Sequence, residues 1–86
     1  MDAPIIRIML VDNHDLVRAS WKMLLQINPR FDLVAEANNG ADALEHVQHK
    51  HPDIIIVDIN MSPMNGFELT EKVLAEHPAI RVIGLS

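Results

Sequence analysis

The chain has 86 residues, enough for one small domain, and 49% of them are hydrophobic, so a core can form although a domain this short is marginal. Twelve acidic residues against seven basic ones give a formal net charge of −5, which argues against direct nucleic-acid contact, since that normally needs a basic footprint. The absence of cysteine excludes disulfides, thiolate metal sites and cysteine nucleophiles and fits a cytoplasmic location; no apolar run approaches the ~20 residues of a membrane span, and Met1-Asp2-Ala3-Pro4 lacks the basic start of a signal peptide.

Ile5 to Val11 predicts a first strand, ending in the apolar run Ile8-Met9-Leu10-Val11, with Asp12 directly after it. Asp15 to about Ile27 predicts a first helix, with Leu16, Val17, Leu24 and Ile27 at helical spacing and Asn28-Pro29 as the stop. Leu33 to Ala37 reads as a weaker, more polar strand at a sheet edge. Asn38-Asn39-Gly40 makes a turn into a second helix, Ala41 to about His49, with Leu44, Val47 and Gln48 on neighbouring turns. Asp53 to Val57 is the central strand: Ile54-Ile55-Ile56-Val57, bounded by Pro52-Asp53 and a Pro/Asn/Gly cluster, has the pattern of a strand covered on both faces. Asn65 opens a third helix, with Glu68 placed to close a capping box, and the helix runs to about Glu76 before His77-Pro78. Ile80 to Leu85 is a fourth strand, followed by Ser86.

The order β-α-β-α-β-α-β with right-handed crossovers predicts an α/β fold, a doubly wound parallel sheet with helices on both faces. Placing the weak second strand outside gives strand order 2-1-3-4, the flavodoxin-like arrangement, whose sites lie at the carboxyl ends of the strands. The ends of strands one and three then lie side by side, and each delivers an acid, Asp12 and Asp58. Adjacent strands are about 4.8 Å apart, so both carboxylates are within reach of one cation. Asp is also common after strands as a turn former and helix cap, but two of them in one βαβ pattern favour a site.

These residues resemble a response-regulator receiver domain, closest to receivers whose output is a LuxR-type helix-turn-helix. The resemblance runs through essentially all 86 residues. It is carried by Arg7-Ile8-Met9-Leu10-Val11-Asp12-Asn13-His14, Leu16-Val17-Arg18, Val34-Ala35-Glu36-Ala37-Asn38-Asn39-Gly40, Pro52-Asp53-Ile54-Ile55-Ile56-Val57-Asp58, Asn65-Gly66-Phe67-Glu68 and Val82-Ile83-Gly84-Leu85-Ser86. It implies that Asp58 takes a phosphoryl group from the phosphohistidine of a sensor histidine kinase. It implies that Asp12, Asp58 and the backbone carbonyl of Asn60 hold Mg²⁺, and that the Ser86 hydroxyl turns toward the phosphoryl group and reports it.

The resemblance has three departures. Asn13 stands where the family usually has a second acid that ligates Mg²⁺; its amide oxygen can still coordinate, with one negative charge fewer. Met61-Ser62-Pro63 displaces by one residue the proline that usually follows the phosphoacceptor. The resemblance further implies a fourth helix, a fifth strand ending in a lysine and a fifth helix; Lys22, Lys50 and Lys72 all fall in predicted helices, so none takes that role. On this reading residues 1–86 are one receiver domain, covering about its first two-thirds and ending before the fifth strand, with strand four as an apolar edge open to homo-oligomer formation.

His46 and His49, at i and i+3 on helix two, with His51 nearby, read better as solvated helix-end histidines than as a metal site. His14 is assigned at most a modulatory role beside the site, and Trp21 partly buried packing on helix one. Two function classes fit: a receiver switched by phosphorylation of Asp58, and a non-switching interaction module on the same fold with metal binding impaired by Asn13. An enzyme acting on an external substrate is disfavoured, because no nucleophile–base pair or phosphate-cradling glycine loop is present.

Overall fold

The computed structural model describes residues 4–86; the expectation drawn from Met1–Ala3 lies outside them. Seven elements follow in chain order: β1 (Ile6–Val11), α1 (Asp15–Leu25), β2 (Phe31–Ala37), α2 (Gly40–Lys50), β3 (Ile54–Asp58), α3 (Gly66–Glu76) and β4 (Arg81–Leu85). The strands form one parallel sheet in the order β2-β1-β3-β4, the expected topology. The register pairs Val11 with both Ala37 and Val57, and Asp58 with Leu85, so all four strands finish at one rim.

Side chains alternate across each strand, and this splits the core in two. Met9, Val11, Ile55 and Val57 point to the face covered by α2 and α3, where they pack with Ala43, Val47, Leu69 and Val73. Ile8, Leu10 and Ile56 point to the opposite face and meet Leu25 of α1, with Trp21 half-buried beside them. The first cluster is the larger, and Met9, Ala43, Ile55, Val57, Leu69 and Val73 in it are essentially inaccessible. Asp53 ties the opposite end of the sheet together. Its carboxylate accepts the Arg7 amide at 2.8 Å, its own amide donates to the Arg7 carbonyl at 2.8 Å, and its carbonyl accepts from Arg81 at 3.1 Å.

Helix α3 starts as expected. The Asn65 side chain accepts the Glu68 amide at 2.9 Å while the Glu68 carboxylate accepts the Asn65 amide at 3.2 Å, a reciprocal cap. Asn39 caps α2 by accepting the Asp42 amide at 2.8 Å. Helix α1 is slightly shorter than expected, and most of the apolar residues that mark it are exposed. It ends at Leu25 rather than Ile27, and Leu16, Leu24 and Ile27 are 80%, 58% and 78% exposed. The face turned inward carries Arg18, Trp21, Lys22 and Leu25. Two of these are held by charge: Arg18 Nε lies 3.4 Å and Lys22 Nζ 3.1 Å from the Glu36 carboxylate on β2. Burying Trp21 and Leu25 while keeping two cations on Glu36 selects this face over the apolar spacing alone. Strand β2 is the predicted edge but begins two residues earlier, at Phe31, and absorbs an irregularity at Val34 where the pairing steps from Leu33 to Ala35.

Candidate functional site

Asp12 and Asp58 are brought together at the carboxyl rim because β1 and β3 are hydrogen-bonded neighbours in register. Each side chain is only 12% exposed. The Asp12 backbone is fixed from two sides: its amide donates to the Ala37 carbonyl at 3.0 Å, and its carbonyl accepts from Arg18 Nη1 at 2.5 Å. Asp58 Oδ1 accepts the Asn60 amide at 2.9 Å, a turn of the kind Asp favours after a strand. The turn-forming reading of these acids and the site reading are therefore both satisfied by the same geometry.

Behind Asp58 the chain is tightly held. The Ile59 amide donates to the Leu85 carbonyl at 2.9 Å and the Gly66 amide to the Ile59 carbonyl at 3.2 Å. Gly66 lies so near that a Cβ there would fall 2.6 Å from Ile59 Cα and 2.9 Å from the Asp58 carbonyl oxygen. Only glycine lets the start of α3 approach the loop that follows Asp58 this closely. Within that loop Met61 is buried and the peptide joining Ser62 to Pro63 is cis.

Asp12, His14, Val17, Asp58, Asn60, Leu85 and Ser86 line one open cleft of about 350 Å³. The sequence-predicted residues Asp12, Asp58, Asn60 and Ser86 therefore converge on one cavity. Asn13 does not line it; it is exposed beside Asp12. In its place stands His14, to which only a modulatory role was assigned. Its amide and its Nδ1 both lie 2.8 Å from Asp12 Oδ1, and Nδ1 is 3.7 Å from Asp58 Oδ2. Among the described residues, His14 is the one basic side chain whose nitrogen lies within 4 Å of either carboxylate. The turn that folds His14 back onto Asp12 is an Asx-type turn, and the Asp-x-His spacing after a strand was the signal for it. Arg18, also unassigned from sequence, holds the Asp12 carbonyl while bonding Asp15 at 2.6 Å.

His46 and His49 do not join the cleft. His49 Nδ1 contacts the Glu45 carbonyl at 2.9 Å and lies 3.8 Å from the Glu45 carboxylate. Asp12, His14 and Asp58 form the one group of three such side chains, among the described residues, whose ligand atoms all lie within 4.8 Å of one another.

The model of the response regulator receiver domain matches residues 8–86. The chain belongs to this family. The receiver is 38% identical over 81 residues to the transcriptional regulatory protein DegU of Brevibacillus brevis, an alignment covering 94% of the chain and 34% of that relative. It is 34% identical over 79 residues to the nitrate/nitrite response regulator NarL of Escherichia coli strain K12, covering 92% of the chain and 37% of that relative. A LuxR-family two-component response regulator from Aurantimonas sp. SI85-9A1 superposes with a TM-score of 0.88 at 31% identity, over 93% of this chain and 57% of that one. The receiver thus spans little more than a third of the length of these curated relatives, and its kind is that of LuxR- and NarL-type two-component response regulators. No helix among the described residues is long and apolar enough to cross a membrane.

Proposed function

We propose that this receiver accepts a phosphoryl group on Asp58 from the phosphohistidine of a sensor kinase and, in doing so, switches a transcriptional output. The observation that carries the reading is the pairing of Asp58 with Asp12 at the mouth of one cleft, each carboxylate nearly buried yet open on the same side. An Asp58 oxygen attacks phosphorus, the phosphorus–nitrogen bond to the kinase imidazole breaks, and the imidazole leaves. The product is an acyl phosphate, a covalent species that splits one transfer into two.

The obstacle is charge: an anion must approach an anionic phosphoryl group. The oxygen donors of Asp12, Asp58 and the Asn60 carbonyl suit Mg²⁺, which takes oxygen ligands and keeps several waters. When bound, Mg²⁺ supplies neutralisation of the charge that builds on the phosphoryl oxygens. The residues contribute position. The Asn60 amide orients Asp58, and the Ala37 and Arg18 contacts orient Asp12. Ser86 follows Leu85, which pairs with Asp58, and lines the same cleft, which supports its hydroxyl as the donor to a phosphoryl group on that acid. A contact made only in the phosphorylated state is what a two-state switch requires. The chemistry is stoichiometric acceptance by the protein itself, not turnover of an external substrate.

Incubation with acetyl phosphate and Mg²⁺, followed by intact-mass measurement, tests the assignment. The parent protein is expected to gain one phosphoryl group and Asp58→Ala none. A phosphoryl gain that persists in Asp58→Ala would assign the chemistry to another residue.

A further inference from the structure

We propose that Arg18 is a positioning residue of the acidic site, and that through it cation binding at the carboxyl rim and the hold of α1 on the sheet are coupled. The proposal rests on the reading above that the cleft binds a divalent cation, and adds a mode of regulation to it. One guanidinium meets three elements. Its Nη1 donates to the Asp12 carbonyl at 2.5 Å, just past β1; its Nη2 donates to Asp15 Oδ1 at 2.6 Å, in the first turn of α1; its Nε lies 3.4 Å from Glu36 Oε1 on β2. The Arg18 side chain is 17% exposed, so little of it is left to water. The N-cap residue of α1, His14, makes no side-chain cap hydrogen bond, and Arg18 ties the first turn to the strand end in its stead.

Two roles for Arg18 have opposite signs. It borders one small void together with Asp12 and Asp58, so its charge stands near both carboxylates. As a charge alone it repels a divalent cation, and removing it would tighten Mg²⁺ binding. As a clamp it holds the Asp12 peptide by the carbonyl while the Ala37 carbonyl holds it by the amide, and removing it would weaken binding. The geometry favours the clamp. Asp15 and Glu36 offset the guanidinium charge, and what remains distinctive is a planar fork that serves three acceptors at once, which the compact ammonium of a lysine does not match. The clamp also moves with its helix. Leu25 is the one fully buried residue of α1, so local lifting of α1 from the sheet is less costly than for a helix with several. When α1 lifts, Arg18 goes with it and the Asp12 carbonyl is released. A cation that prefers the held site must in return hold α1 down, by the same factor.

The test combines calorimetric Mg²⁺ titration with native-state hydrogen exchange, on the parent, Arg18→Lys, Arg18→Gln and Lys22→Gln. Mg²⁺ affinity is expected to fall about tenfold in both Arg18 variants, the lower end of what losing a contact that orients a metal ligand costs. Lys22→Gln takes the same charge from the same helix and from the same Glu36 while leaving the Asp12 carbonyl contact in place, and is expected to bind as the parent does. In the parent, saturating Mg²⁺ is expected to slow exchange of the α1 amides about tenfold more than those of α3, the reciprocal of the affinity loss. In the Arg18 variants the two helices should respond alike. The parent measurement decides the matter even where a variant fails to fold. Full affinity in Arg18→Lys, tighter binding in Arg18→Gln, or an equal response of α1 and α3 in the parent would each overturn the proposal. Where one of these occurs in a protein that still binds Mg²⁺ and takes a phosphoryl group on Asp58, the coupling falls and the proposed function stands. A parent that binds no Mg²⁺ removes both.

Discussion

Asn13 is the residue at which this receiver departs most from its family's acidic site, and the structure gives the departure a definite place. Asn13 is exposed and outside the cleft, while the two carboxylates that line it are nearly buried. A charge restored at position 13 would act on a bound cation mainly through space, in a partly solvated setting where Coulomb terms are modest. Asn13→Asp is therefore expected to raise Mg²⁺ affinity by roughly three- to tenfold. Calorimetry, or the fluorescence of Trp21 beside the cleft-bearing strand ends, measures it; unchanged or weaker binding would mean that position 13 does not feel the ion. Asp12 and Asp58 were legible because each directly follows an unbroken apolar run, and the register of a parallel sheet does the rest. His14 was not, because its part depends on a local turn onto Asp12 Oδ1, which apolar periodicity does not record.

At the scale of elements, the central strand was the most legible. Ile54-Ile55-Ile56-Val57 is covered on both sides, and such a run has few alternatives. The Asn65–Glu68 cap was likewise visible, since it depends on two residue types at fixed spacing. In α1 the spacing of Leu16, Leu24 and Ile27 marked the helix but not its inward face, where Arg18 and Lys22 meet Glu36 across the sheet. Long-range ion pairs leave no periodic signature. The junction of β3 and α3 supports a sharper statement. Alanine is favoured over glycine in a helix interior by about 1 kcal/mol, yet at Gly66 its methyl group would strike backbone 2.6 and 2.9 Å away. Gly66 opens the helix, so little of that propensity gain applies, and the clash dominates. Gly66→Ala is expected to destabilise by ~1–3 kcal/mol in urea unfolding and to slow phosphorylation of Asp58 by acetyl phosphate, because the atoms displaced belong to Asp58 and Ile59. An unchanged unfolding midpoint would show that α3 can retreat at no cost.

For the molecule as a whole, the two sides of the sheet are unequally closed, and both edge strands have a single strand partner among the described residues. Strand β4 pairs with β3 alone among the described residues. It presents Ile83 at 48% exposure with half-buried Val82 and Leu85, and Arg81 is the one charge along it. Open backbone groups beside apolar side chains favour strand-to-strand pairing between copies. The 86-residue chain is therefore expected to self-associate, with the average mass from light scattering rising over a concentration series. A compact monomer that persists at high concentration would contradict this.

The Arg18 and Lys22 contacts to Glu36 also give the two faces different responses to their surroundings. Helices α2 and α3 are anchored by inaccessible Ala43, Val47, Leu69 and Val73, whereas α1 buries Leu25 and leans on partly exposed ion pairs. Ions in solution screen the second kind of hold and leave the first nearly untouched; the screening length shrinks from about 10 Å at 0.1 M salt to about 3 Å at 1 M. Ionic strength should thus act as a selective loosener. In native-state hydrogen exchange the amides of α1 are expected to speed up between low and high salt, while those of α3 keep their rates. Since Arg18 also grips the Asp12 carbonyl, the breathing of that one helix would reach the acidic rim, so the salt content of the medium would set how still Asp12 is held.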